Sequence, residues 1–244
     1  MIKRQNIRKT IIICMFFLFP ITITWLSPAL PIIYALFGVL SGAAIIFTLQ
    51  FLSSLFFGRA FCGYLCSGGG LQECLMRISD KKTKNANLYF VKYVVWALWL
   101  LTIIVLFIRA GGINEIDFFA GTADNWIFLI APYRYLIYFG VVLLITVVNL
   151  LDGKRAACRI GCWMAPFMII GAKVSDLLKL PRLRIKSNQN SCIGCKQCSK
   201  ICPMSLNVMA MVETASMNNP ECILCGECID ICPNNSITYS FRYK

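Results

Sequence analysis

Two short stretches near the C-terminus constrain this chain more than anything else in it. One is Cys192-x2-Cys195-x2-Cys198-x3-Cys202-Pro203; the other is Cys222-x2-Cys225-x2-Cys228-x3-Cys232-Pro233. Three thiols spaced two apart in a tight loop wrap one inorganic cluster, and the fourth, out of reach, serves its neighbour. The spacing therefore predicts one [4Fe–4S] cluster on Cys192, Cys195, Cys198 and Cys232, and a second on Cys222, Cys225, Cys228 and Cys202. Pro203 and Pro233 stop a helix from continuing through either run. The runs start 30 positions apart, which predicts two pseudo-symmetric halves. A zinc ribbon is disfavoured, because each run holds four cysteines and the chain has no histidine. A disulfide framework suits small secreted domains rather than a chain with long apolar spans.

The rest of the chain is apolar. Hydrophobic residues make up 58%, charged residues 14%, and mean hydropathy is +0.70, whereas soluble domains carry about 25% charged residues. Runs of about 20 apolar residues suit a bilayer, and four are expected: Ile11 to Leu30 with a kink at Pro20, Ile32 to Phe57, Val91 to Ile108, and Tyr135 to Leu151. Trp126 to Pro132 reads as an interfacial lead into the last. The N-terminus resembles a signal peptide, but its apolar run is too long and lacks a cleavage site, so it reads as an uncleaved span. The net charge of +13 does not indicate nucleic acid, because the basic residues sit at the ends of apolar stretches. Lys3, Arg4, Arg8 and Lys9, then Arg59 to Lys84, then Lys154 to Lys186 place both termini and the clusters on the cytoplasmic side of a multi-pass inner-membrane protein. Trp163 to Leu180 is too short and charged to span; a headgroup-level helix and an amphipathic helix packed on the tail both fit.

Four more thiols come from an internal duplication. Arg59-Ala60-Phe61-Cys62-Gly63-Tyr64-Leu65-Cys66 and Arg155-Ala156-Ala157-Cys158-Arg159-Ile160-Gly161-Cys162 share the pattern R-A-x-C-x3-C, and each follows an apolar hairpin. Parallel repeats about an axis along the membrane normal would gather the two loops just outside the cytoplasmic leaflet. Cys62, Cys66, Cys158 and Cys162 then suit Zn²⁺ or, more simply beside two clusters, a third [4Fe–4S]. Two alternatives are small buried thiols on one helix face and a redox-active pair. Cys14 reads as a plain buried residue, and Cys74 has no partner motif. Ser67-Gly68-Gly69-Gly70 would let backbone approach cluster sulfides, or form a flexible turn.

The expected architecture is a mainly α membrane protein, four transmembrane helices forming two repeated hairpins, with a C-terminal α+β two-cluster bacterial-ferredoxin domain. Its parts are a core over residues 1–152, a basic juxtamembrane segment with the second CxxxC and an interfacial helix over 153–186, and a separable ferredoxin module over 187–244. Paired CxxxC loops followed by such a module resemble the membrane-bound accessory ferredoxins of the NapH type. The membrane parts of nitrous-oxide-reductase regulators and cytochrome-oxidase assembly ferredoxins are similar. The resemblance is carried by Cys62 to Cys66, by Cys158 to Cys162 with Trp163-Met164-Ala165-Pro166, and by the two C-terminal runs. Ser67 and Trp163 stand where such proteins commonly carry Pro. The resemblance implies electron transfer between the quinone pool, or a cytoplasmic donor, and a redox partner.

An electron carrier is thus expected rather than a stand-alone oxidoreductase; no glycine-rich nucleotide fingerprint is present. Quinone chemistry would depend on residues such as Glu73, Asp80 or Asp152, since no histidine can donate protons. The alternative function is a maturation factor that reduces a metal or thiol on a partner, with Met15, Met164 and Met168 as thioethers for a soft metal. A transporter would need intramembrane charges. A homo-oligomer is compatible with all of this.

Overall fold

A computed structural model of the chain describes residues 2–84, 86–121 and 132–243. Helix α1 (Ile2–Phe17) stops at Leu18, and Pro20 opens the one-turn helix α2 (Phe19–Thr22). A proline in the first turn lacks only an N–H that has no helical partner there, so the first apolar run is divided rather than bent. The chain turns through Pro28 into α3 (Ala29–Ala35), then forms a short strand β1 (Val39–Ser41). That strand pairs in parallel with β2 (Glu115–Asp117), Val39 opposite Glu115. Only then does α4 (Gly42–Phe57) begin; with 16 residues it is shorter than an ordinary span. The second predicted span is therefore interrupted as well.

Two short helices, α5 (Ala60–Tyr64) and α6 (Ser67–Leu75), lead to α7 (Val91–Arg109). After β2 comes α8 (Pro132–Asp152), then α9 (Ala156–Ile160) and α10 (Ala165–Leu177). Among the described residues two helices, Asn87–Arg109 and Tyr135–Asp152, are long and apolar enough to cross a membrane, and only 11% of each apolar window is buried. They correspond to the third and fourth expected spans. The interfacial reading of residues 126–131 lies outside the described residues.

The two copies of the duplicated unit pack crosswise. Helix α10, from the second copy, lies along α4 of the first, while α6, from the first, packs on α8 of the second and on α1. Two glycines permit this closeness. A Cβ on Gly171 would run into Ser54 and the Phe51 carbonyl, and one on Gly70 into the Ile12 carbonyl. Phe167 of α10 stacks on Phe47 of α4, with centroids 5.6 Å apart and 10° between planes. The segment Trp163 to Leu180, for which a headgroup-level helix and a helix packed on the tail both fit the sequence, is thus held against α4. Its charged side also has a partner: Asp176 binds Arg182 and Arg184.

The tail forms an antiparallel ribbon of β3 (Arg182–Ser187) and β4 (Ile237–Arg242), running from Arg182 opposite Arg242 to Ser187 opposite Ile237. Between the strands lie the short helices α11 (Gln197–Ile201), α12 (Val208–Glu213) and α13 (Glu227–Asp230). Helices α11 and α13 each start at a left-handed residue, Lys196 and Gly226, one position after a cluster-run cysteine. One core joins the tail to the apolar part: Phe47, Cys62, Cys158 and Met168 belong to the same buried cluster as Met204, Val212, Ile223 and Ile237. The tail is thus docked on the apolar part.

Candidate functional site

The eight tail thiols separate into two groups of four. Cys192, Cys195, Cys198 and Cys232 line one small cavity, with Met209 and Val212. Cys202, Cys222, Cys225 and Cys228 line a second, with Met204 and Ile223. Each group takes three thiols from one run and the fourth from the other. The backbone repeats too: Gly194 and Leu224 share a positive φ (71° and 53°), as do Lys196 and Gly226 (59° and 76°), at matching positions of the runs. Those left-handed residues curl each loop around its cavity. The cavities adjoin, because Cys198 lies close enough to Cys228 to help raise its pKa. The first set reaches the surface at Cys195, whereas Cys202, Cys225 and Cys228 of the second are buried.

The duplicated loops bring Cys62, Cys66, Cys158 and Cys162 together. Burial is the largest cause raising the Cys66 pKa well above that of a free thiol, and Cys62, Cys158 and Cys162 add to it. Burial, then Cys158 and Cys62, push Cys162 up to about 12. Such mutual opposition means the four cannot all become thiolates without a cationic partner among them. The same holds in the tail, where burial first, then neighbours including Cys202, push Cys222 up to about 11. Two further contacts hold the duplicated set: Gln72 Nε2 donates to Cys158 Sγ at 2.9 Å, and Met168 Sδ is 3.8 Å from Cys62 Sγ. Phe167, next to Met168, stacks on Phe47 of α4, and Phe47 belongs to the same buried core as Cys62 and Cys158.

Buried ion pairs surround this third set. Glu73 receives Arg8 at 2.7 Å and Arg155 at 2.8 Å, with both guanidiniums shielded from solvent. Arg8 also reaches Glu227 of the tail at 2.7 Å. Arg59 and Lys92 share Glu221, the former at 3.0 Å. Burial would raise the Glu73 carboxyl, but Arg155 and Arg8 outweigh it and hold the group at about 2. Arg155 also donates to the Cys62 carbonyl at 3.0 Å. Some donors are left over: Nε and Nη2 of Arg59 and Nε of Arg155 are buried without a hydrogen-bond partner. Donors left bare beside four thiols match the needs of an anionic cluster whose sulfides accept hydrogen bonds.

The third set abuts the second. A Cβ on Gly63 would meet the Ile223 carbonyl and the backbone of Cys225, so the Cys62–Cys66 loop rests directly on the Cys222–Cys225 loop. The second set therefore adjoins both the first, which reaches the surface, and the third. Next to Cys62 and Cys66, Phe61 and Leu65 face an apolar cavity of about 380 Å³ shared with Met15, Trp25, Ile46 and Phe118. Of the carboxylates named for proton transfer, Glu73 is occupied by two arginines and Asp80 by Lys154; neither lines this cavity. Cys14 is exposed rather than buried. Sequence reasoning passed over Gln72, and it read Arg59 and Arg155 as markers of the repeat and as basic orientation signals.

Among the described residues no three Cys, His, Asp or Glu side chains are gathered tightly enough for a single ion. A lone zinc draws sulfurs to about 2.3 Å, whereas an inorganic cube holds four of them around a space, as in the tail. Residues 184–233 match a 4Fe-4S dicluster domain family, and residues 10–85, which include Cys62 and Cys66, match a 4Fe-4S binding domain family. The chain is 25% identical over 177 residues to YccM of Escherichia coli (strain K12), named provisionally for electron transport, covering 67% of this chain and 46% of that protein. It is also similar to two uncharacterized proteins of Methanocaldococcus jannaschii. One is 24% identical over 64% of this chain and 56% of its own length; the other is 27% identical over 78% and 76%. The chain thus spans about half the length of the first two relatives. No solved structure matches. These matches, with the grouping of the thiols, support an iron–sulfur, ferredoxin-like electron-transfer protein.

Proposed function

We propose that the protein is a membrane-bound relay passing single electrons between a soluble redox partner at its tail and a partner or carrier in the bilayer. Cys192, Cys195, Cys198 and Cys232 would hold one [4Fe–4S] cluster; Cys202, Cys222, Cys225 and Cys228 a second; Cys62, Cys66, Cys158 and Cys162 a third. Bound clusters supply one-electron exchange without proton transfer. The chain keeps the three sets in contact, shields two of them from water, and exposes the first at Cys195. The observation that carries the reading is the backbone contact of Gly63 with Ile223 and Cys225, which joins the duplicated loops to the tail.

Membrane insertion is supported by the uncovered apolar surface of α7 and α8, where Leu98, Leu101, Ile108, Leu136, Leu143 and Leu151 are all more than half exposed. The basic segments then favour an inner-membrane orientation with both termini cytoplasmic. This is the division of labour of NapH-type accessory ferredoxins. A lipophilic acceptor such as a quinone would meet the relay at the cavity beside Phe61 and Leu65. A second reading, a maturation factor that reduces a partner's soft metal, is favoured by the Met168 thioether beside Cys62; one tight Cu(I) per chain, lost in Met168→Leu, would select it. The relay is tested by electron paramagnetic resonance of dithionite-reduced, carbonate-washed membranes. Cys62→Ser with Cys158→Ser should remove one signal, narrow the signal of the adjoining second set by ending its magnetic coupling, and leave the first. Unchanged spectra, or protein washed off by carbonate, would contradict it.

A further inference from the structure

The arginine that opens each copy of R-A-x-C-x3-C lies within electrostatic reach of the sulfurs. Arg59 acts on Cys62 and Cys162, and Arg155 on Cys158 and Cys62. Both are enclosed, at 3% and 0% exposure. Neither is neutralised by a carboxylate of its own: Glu221 is shared between Arg59 and Lys92, and Glu73 between Arg155 and Arg8. Where the second and third sets meet, three acids, Glu73, Glu221 and Glu227, thus face five bases, Arg8, Lys9, Arg59, Lys92 and Arg155. The first set has no such surroundings. The basic side chain lining its cavity, Lys196, is solvent-exposed.

A cube held by four thiolates is a dianion when oxidised and a trianion when reduced. Burial alone disfavours the extra negative charge, and fixed positive charge in a water-poor site favours it. Resting on the three-cluster reading, we propose that Arg59 and Arg155 are potential-setting residues: they make the third set more easily reduced than the exposed first set. The Nε of each arginine and the Nη2 of Arg59, buried without a hydrogen-bond partner, are the donors available to the added charge. The duplication supplies one such arginine from each side of the site, which gives a physical reason for R-A recurring ahead of both CxxxC pairs. Reduction adds one electron to the cluster and breaks no bond.

The test is a redox titration of the full chain, purified anaerobically and read by electron paramagnetic resonance, with iron counted in each sample. In wild-type protein the signal that is lost in Cys158→Ser should titrate at a higher potential than the signal that is lost in Cys195→Ser. Arg59→Gln and Arg155→Gln should each make reduction of the third set at least about tenfold less favourable, a shift of about 59 mV for one electron. Arg59→Lys and Arg155→Lys keep the charge and should stay near the wild-type midpoint. A merely structural role would disturb the Lys and Gln variants alike. Unchanged midpoints in the Gln variants with iron retained would overturn the inference, as would Lys variants that shift equally or shed iron. If a Gln variant sheds iron, the Lys variant decides. Wild-type protein with only about eight irons would instead sink the three-cluster reading itself.

Discussion

Glu73 holds two guanidiniums at once, from positions 65 residues before it and 82 after it. Removing one member of a buried pair costs about 3–5 kcal/mol, because the remaining charge stays buried. Glu73→Gln should therefore lower stability by about that amount at pH 7, read by thermal unfolding followed with circular dichroism in detergent. The folded-state pKa, about 2, lies below the ordinary value of 4.5. A depressed carboxylate stabilises fully above its unfolded value, and the contribution is lost as pH falls through the folded one. The gap between mutant and wild type should thus stay level from pH 7 to about 5 and narrow below that; a gap that widens in acid would contradict the assignment. The thiol sets were legible because ligand spacing is local. The role of Glu73 was not, because its partners are remote in sequence and an acid in an apolar region reads equally as a proton donor.

Helices α4 and α10 touch through glycine, and α6 meets α1 in the same way. A side chain at Gly171 must displace the backbone of Phe51, and overpacking of this kind costs about 1–3 kcal/mol or more. Gly171→Val should loosen the third set selectively: iron should fall by about four atoms per chain while the tail's signals persist. Loss of tail iron instead would place the weakness elsewhere. At this scale the duplication was readable as R-A-x-C-x3-C, and α7 and α8 as long apolar helices. The break after Phe17 and the extended segment Val39–Ser41 were not. Hydropathy scores an apolar residue alike whether protein or lipid covers it, so two divided runs looked like continuous spans. For helix α10 the sequence left two placements open, a headgroup layer and packing on the tail; Asp176 pairs with Arg182 and Arg184 of the docked tail, which agrees with the second.

Across the whole molecule, charge does two jobs that sequence cannot separate. Arg8, Arg59, Lys154 and Arg155 all count as basic signals at the ends of apolar stretches, yet each is buried and paired. The acids opposite Arg8 and Arg59 include Glu227 and Glu221 of the tail, so these ion pairs clamp the tail to the apolar part. That clamp brings the second thiol set against the third and turns two motifs found separately in the sequence into one path. The claim beneath all of this is that three groups of four sulfurs each hold a cube of iron and sulfide. Iron and acid-labile sulfide, measured per chain on anaerobically purified full-length protein, test it most directly. The account predicts about twelve of each. About eight would leave the duplicated loops without a cluster, and values near zero after reconstitution would contradict the account entirely.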